Sequence, residues 1–254
     1  MKPILILAAV PQETALLKQA LGDTARLKSD SFDYTEGNFG SQPVVICAGG
    51  IGKINAASVA TALIERYHPR LVINTGCAGA YLASGLSIGD LAVASDEILG
   101  DEGVLMSDDW HDLKFMGIPS LILGSRMYHN AIPLSRHAAE KAMQLADYVG
   151  IRMVRGCFIT VSTCSGCRQR GEELVQRFQG VCENMEGAAI AQVGLRYGID
   201  CLEIRGISNL VDERDMKTWD IPRAVDAAQR FVLKYIEELE RPVPKRGLNR
   251  PIPD

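Results

Sequence analysis

The chain has 254 residues, 47% of them hydrophobic and 23% charged, which is enough for a sizeable core in one large α/β domain. A formal net charge of -4 argues against a nucleic-acid partner, which would want a basic face. No apolar run reaches the roughly 18 residues of a membrane span. The seven cysteines, at 47, 77, 157, 164, 167, 182 and 201, are scattered through mostly apolar stretches. Free thiols in a reducing cytoplasm are therefore expected rather than a disulfide framework.

Residues 4–10 predict a first core strand rather than a signal peptide. No distinct small-residue cleavage site follows, and the run passes straight into the helix-like Gln12-Glu13-Thr14-Ala15-Leu16-Leu17. Further strands are predicted over 44–48, 71–75, 91–95, 153–161 and 201–208. Several are continuously apolar, as expected when helices cover both faces of a sheet. Helices are predicted over 54–67, 135–149, 171–178, 185–197 and 224–240. The last carries Val225, Ala228, Val232, Tyr235 and Leu239 as a one-sided stripe. Strand–helix alternation implies a three-layer αβα sandwich with a central mixed, largely parallel sheet, one domain over 1–240. Residues 100–133 have weak periodicity and read as a long irregular segment, a kind that is often functional. The extension over 241–254 holds four prolines and cannot continue the preceding helix.

Gly49-Gly50-Ile51-Gly52-Lys53-Ile54 lacks the Ser or Thr that a Walker loop needs after its Lys. It reads as a tight strand-to-helix turn whose backbone passes close to something. Asn74-Thr75-Gly76-Cys77-Ala78-Gly79-Ala80 puts small residues at a strand's C-terminal end, where open α/β sheets bind ligands. Cys164-Ser165-Gly166-Cys167 has redox or zinc spacing, but no second ligand pair accompanies it, so a loop over a pocket is expected. His68, His111, His129 and His137 show no metalloenzyme spacing, so neither a metal nor a cofactor is expected. Glu186 opens an almost wholly apolar helix and should be partly buried. A desolvated carboxylate wants strong donors, and two ribose hydroxyls would supply them, although a helix N-terminus also favours an acid. Glu13 repeats the situation just after Pro11.

Val10-Pro11-Gln12-Glu13, Gly50-Ile51-Gly52-Lys53-Ile54-Asn55-Ala56-Ala57, Asn74-Thr75-Gly76-Cys77-Ala78-Gly79, Asn184-Met185-Glu186 and Arg205-Gly206-Ile207-Ser208-Asn209 occur in order. In order and spacing they resemble the purine nucleoside phosphorylase and methylthioadenosine nucleosidase superfamily over residues 1 to about 240. Within it, Thr160-Val161-Ser162-Thr163, Glu183-Asn184-Met185-Glu186-Gly187 and Ser208-Asn209-Leu210-Val211 look most like the futalosine hydrolases of menaquinone biosynthesis. The resemblance implies that Glu186 holds the ribose hydroxyls and that Met185 packs under the sugar. It implies that Glu13 deprotonates the attacking water, and that Asn209, oriented by Ser208, contacts the purine. Cys77, Ala78 and Gly79 would floor the pocket, and Cys164 and Ser165 would border the base. It also implies a small-molecule nucleoside as partner and a homodimer or higher homo-oligomer.

Two departures bear on the substrate. The family's phosphorylases carry an early phosphate-binding arginine, whereas the first Arg here is Arg26 and the early loop carries Glu13. That favours hydrolysis over phosphorolysis. Adenine-specific members place an Asp at the Asn209 position; an amide cannot deliver a proton but suits a 6-oxopurine edge. The expectation is futalosine hydrolysis, releasing hypoxanthine. The alternatives are a methylthioadenosine/adenosylhomocysteine nucleosidase, a phosphorolytic inosine/guanosine enzyme, and a non-catalytic purine-nucleoside-binding protein. Futalosine also carries an aromatic carboxylate on its 5′ side; the 100–133 segment could close over it, and Arg126 or another Arg could pair with it, a partner that the sequence leaves open.

Overall fold

Each apolar strand near the centre of the molecule feeds two cores at once. In the computed structural model, which describes residues 1–28, 32–107 and 109–240, Ile4 and Ile6 of β1 (Ile4–Ala8) face one core and Leu5 and Leu7 the other. Successive side chains of a strand point to opposite faces, so a strand covered on both faces is apolar throughout.

In chain order, β1 is followed by α1 (Ala15–Ala20), the antiparallel run β2 (Gly22–Lys28), β3 (Asp33–Phe39) and β4 (Gln42–Ala48), then α2 (Lys53–Tyr67) and β5 (Leu71–Ala80). Next come β6 (Leu91–Leu99), the short strands β7 (Gly103–Leu105), β8 (Trp110–Asp112), β9 (Leu121–Leu123), β10 (Arg126–Tyr128) and β11 (Ala131–Pro133), and α3 (Arg136–Tyr148). The chain then forms β12 (Met153–Thr160), α4 (Arg168–Phe178), β13 (Cys182–Asn184), α5 (Gly187–Tyr197), β14 (Cys201–Leu210) and α6 (Ile221–Glu240). The main sheet is mixed and 10-stranded, in the order β11-β6-β12-β13-β5-β1-β4-β3-β2, with β14 pairing β5 and β6. Residues of α1, α3 and α6 pack on one face and residues of α2 and α5 on the other, giving the nucleoside phosphorylase-like αβα layering. The stripe on α6 buries as its spacing predicts, with Phe231 and Ile236 widening it.

Several boundaries move for local reasons. α5 starts at Gly187, not Met185, because Asn184 Oδ1 accepts the N–H groups of Glu186 (2.9 Å) and Gly187 (2.7 Å) and so starts the helix there. α6 starts earlier than expected, with Asp220 Oδ1 accepting from Arg223 N–H (3.1 Å) in its first turn. β5 runs on to Ala80 because β13 and β14 keep pairing with it. Residues 100–133 are not irregular: β7 pairs β8, β9 pairs β10, and β11 returns antiparallel to β6. Their three-residue strands are too short for a periodicity signal. This arm carries exposed Leu105, Phe115, Ile122 and Met127. No helix among the described residues is long and apolar enough to cross a membrane. The extension over 241–254 lies outside the described residues.

Candidate functional site

The sheet opens where β1 stops. β1 pairs β5 only as far as Leu7 opposite Asn74, and β13 takes up β5 again at Gly79. The C-terminal half of β5 between them is left facing a gap, and that gap is the site.

Glu13 closes one end of it. After β1 the chain turns through a short 3-10 helix, Pro11–Thr14, which folds the Glu13 carboxylate back over the strand end. Its Oε2 accepts the N–H groups of Ala9 (3.0 Å) and Val10 (3.1 Å), and its Oε1 accepts that of Cys77 (2.9 Å). These three donors replace the water lost at 3% exposure. A carboxylate has about four lone-pair sites, so room remains for one water to donate to Glu13. The Cys77 thiol lies alongside; burial, and next the charge of Glu13, push it up to about 11, so it stays neutral.

Glu186 sits at the start of α5, 5% exposed. Its Oε1 accepts from Gly52 N–H at 2.9 Å, which identifies what the glycine turn approaches. Gly50 and Gly52 hold φ of 104° and 93°, a region that side chains resist, and so aim that N–H inward. Burial raises the Glu186 carboxyl above the ordinary range, while Arg205 and the Gly52 N–H pull it back. Arg205 Nη2 lies 3.5 Å from Glu186 Oε2, and its Nε donates to Glu203 Oε1 at 2.8 Å. Burial opposes the charge on Arg205, but Glu203, Glu186 and Glu13 outweigh it.

A second carboxyl backs this array. Glu97 is fully buried, receives Thr160 Oγ1 and Asn184 Nδ2, both at 2.6 Å, and shares its niche with Glu203. A Cβ at Gly187 would stand 2.0 Å from Glu97 Oε1 and 2.4 Å from Glu203 Oε2. Burial, and next the neighbouring charge of Glu203, raise Glu97 well above the usual carboxylate range, so Glu97 keeps its proton. A raised value in the fold gives a contribution that is complete below the unfolded value, near 4.5, and is lost as pH rises through the folded one. Glu97→Gln carries a permanent N–H donor toward Glu203, so its Tm should fall less from mildly acidic to alkaline pH than that of the parent. Calorimetric scans across pH test this, and parallel curves would refute it.

Asn209 stands at the other end of the gap. A bulge in β14 between Ile207 and Asn209 inserts Ser208 and re-aims the next side chain. Ser208 Oγ donates to Asn209 Oδ1 at 2.8 Å, and Asn209 Nδ2 donates to the Leu210 carbonyl at 3.0 Å. The amide is thus held with one N–H and one lone pair to spare.

These groups line one cavity of about 280 Å³. The structure brings together Glu13, Cys77, Ala78, Gly79, Cys164, Ser165, Met185, Glu186, Ser208 and Asn209, the residues to which the resemblance gave a role at the water, the sugar and the base. It adds Glu183, Arg205, Arg214, Trp219 and Ile51, which sequence reasoning did not place in the site. The available signal was Glu203 and Arg205 two apart in an apolar strand, which puts both on one face where each can neutralise the other. Trp219 supplies an aromatic wall, with the Arg214 guanidinium 5.1 Å above its ring. Among the described residues none of 100–133 lines the cavity, because the arm is tied instead to α2, where Lys53 Nζ meets Asp101 (2.7 Å) and Glu102 (3.1 Å). Of the arginines considered, Arg126 lies on that arm and not in the cavity lining, whereas Arg214 lines the cavity.

A 5′-methylthioadenosine/S-adenosylhomocysteine nucleosidase of Bacillus thuringiensis (strain Al Hakam) is 28% identical over 240 residues, covering 93% of this chain and 99% of the relative. The S-adenosylhomocysteine nucleosidase of Streptococcus pyogenes, solved with 5-methylthiotubericidin, superposes with a TM-score of 0.82 at 25% identity, over 95% of this chain and 98% of the other. The methylthioadenosine/adenosylhomocysteine nucleosidase of Colwellia psychrerythraea 34H, solved with adenine, gives a TM-score of 0.81 at 26% identity, over 94% and 96% of the two chains. The family model of the phosphorylase superfamily matches residues 3–237, and the chain belongs to that superfamily.

Proposed function

We propose that the protein is a nucleosidase that hydrolyses the N-glycosidic bond of a 6-oxopurine nucleoside, with futalosine as the substrate and hypoxanthine as the released base. The observation that carries this reading is Asn209, an amide locked by Ser208 and Leu210 at the base end of the cavity. The spare N–H of the amide can donate to O6 of a hypoxanthine and its spare lone pair can accept the hydrogen that N7 gains as the base leaves, whereas the amide has no proton to give to N7 of an adenine.

At the other end, Glu13 takes a proton from the water that adds to C1′ as the C1′–N9 bond breaks and its electron pair leaves with the base. The base is protonated at a ring nitrogen in turn, so the net reaction is nucleoside plus water to free purine plus sugar hydroxyl. Glu186 accepts from the ribose hydroxyls and stabilises the cationic sugar, and Arg205 holds Glu186 in place. Hydrolysis is favoured over phosphorolysis because a phosphate dianion would stand between Glu13 and Glu186, with Arg205 already neutralised by Glu203. Arg214, beside Trp219 at the mouth, pairs with the 5′ carboxylate of futalosine. A homodimer or larger assembly belongs to the same proposal, with the exposed apolar side chains of the 100–133 arm as its surface.

The second reading, a methylthioadenosine/adenosylhomocysteine nucleosidase, is favoured by the relatives and opposed by Asn209. Incubation with futalosine, inosine and methylthioadenosine, with and without phosphate, separates the readings by chromatography of the free base. Hypoxanthine from futalosine without added phosphate is expected, and preferential release of adenine from methylthioadenosine would move the assignment to the second reading. Asn209→Ala should lower kcat on futalosine by about 10- to 1000-fold, the scale of one lost transition-state donor. An unchanged kcat removes Asn209 from the chemistry.

A further inference from the structure

Gln229 is an amide on the core-facing side of α6, 3% exposed, outside the cavity. Its neighbours Ala228, Phe231 and Val232 share a core with Leu17 of α1. A buried amide has two N–H groups and two lone pairs to satisfy. Oε1 accepts the N–H groups of Leu16 (2.9 Å) and Leu17 (3.4 Å) in the first turn of α1. Nε2 donates to the Gln12 carbonyl (3.2 Å) and, one turn back on its own helix, to that of Val225 (3.2 Å). With two donors facing the oxygen and two acceptors facing the nitrogen, the amide has one orientation.

These partners bracket Glu13. The Gln12 carbonyl belongs to the peptide group that leads into Glu13, and Leu16 and Leu17 follow shortly after it. The free N–H groups at a helix start are ordinarily taken by the N-cap side chain. Here the N-cap is Thr14, whose hydroxyl instead donates back to the Pro11 carbonyl (3.1 Å) and makes no cap bond. α1 has only 6 residues, too few to hold its own shape without tertiary support. Gln229 supplies the missing cap from the far end of the chain, and with its other arm it holds the turn before the helix.

We propose that Gln229 is a positioning residue for the general base: it pins the 3-10 turn Pro11–Thr14 to α6 on both sides of Glu13 and so sets where that carboxylate meets the attacking water. This rests on the reading above in taking Glu13 as the base, but not on which purine nucleoside is cleaved. The N–H groups of Ala9, Val10 and Cys77 orient the carboxylate oxygens, whereas Gln229 fixes the backbone from which the side chain projects. Misplacing a reacting group by about 1 Å can cost about 100-fold in rate. The loss should fall on turnover rather than binding, because Gln229 makes no hydrogen bond to the segments that carry Glu186 and Asn209.

The test is the kinetics of Gln229→Met, of nearly equal length but without an amide, on whichever of futalosine and methylthioadenosine the parent cleaves. kcat should fall by about 10- to 100-fold, with KM within about threefold of the parent. In a Glu13→Gln background the same substitution should lower kcat no further, because both changes act on one group. A lower Tm with the parent kcat, measured well below the melting of both proteins, makes Gln229 merely structural and overturns the inference. So does a full additional loss in the double variant. If Gln229→Met does not fold, Gln229→Glu keeps the bonds to Leu16 and Leu17 but sets an acceptor against the Gln12 carbonyl. Its kcat should still fall by about tenfold, the scale of one hydrogen bond, and an unchanged kcat overturns the inference. These results leave the proposed function standing. A Glu13→Gln protein with the parent kcat, or a parent that cleaves neither nucleoside, removes that reading and this inference together.

Discussion

Glu13→Gln should lower kcat on the nucleoside substrate by about 10²- to 10⁴-fold, the usual contribution of a positioned general base, while the affinity for free hypoxanthine changes little. Glutamine is nearly the same size as Glu13, but its amide cannot take the proton of the attacking water. It also turns an N–H group toward Ala9, Val10 and Cys77, whose own N–H groups all point inward at this spot. One of those contacts becomes donor against donor, so a modest fall in Tm should accompany the loss of turnover. Single-turnover kinetics and base titration separate the two effects. Retention of more than about a tenth of the parent kcat would place the water elsewhere in the cavity.

The second large effect is on stability. Glu203→Ala removes from the Arg205 guanidinium, 2% exposed, the nearer of its two ion-pair partners and leaves it only Glu186 at 3.5 Å. Breaking a buried ion pair from one side costs about 3–5 kcal/mol, because the surviving charge stays desolvated. At about 2–4 °C per kcal/mol for a chain of this size, Tm should fall by roughly 10 °C. Removing both charges together, as in Glu203→Met with Arg205→Leu, should recover much of that loss, since the pair itself contributes little once its desolvation is counted. Turnover would not recover, because Arg205 also lies beside Glu186 in the cavity. A double variant no more stable than Glu203→Ala would show that the array stabilises the fold by packing rather than by charge balance.

Much of the site was legible because its residues sit at strand ends and helix starts, where sequence punctuation is strongest. Glu13 follows a proline at the end of an apolar run, Glu186 precedes an apolar helix, and Asn209 closes an apolar strand. Glu183 was not legible as a site residue. Its strand, Cys182–Asn184, is too short to carry a pattern, and only pairing with Gly79 brings it opposite Asn209. The arm over 100–133 failed for the same reason: strands of three residues have no period to read.

The αβα layering is written in the chain, since strands apolar on both faces have to be covered twice and a one-sided helical stripe has only one way to bury itself. It also marked the candidate side chains that the fold gathers around one cavity, because a carboxylate or an amide at a strand's end stands out locally. Who faces whom depends on the folded chain: that β1 stops short and opens the sheet, that Arg205 divides itself between Glu203 and Glu186, and that Glu183 and Asn209 both pair in register with Gly79. The pairings of Gly79 with Glu183 and with Asn209 join residues more than a hundred positions apart, and they are fixed by strand register, which leaves no local trace in the chain.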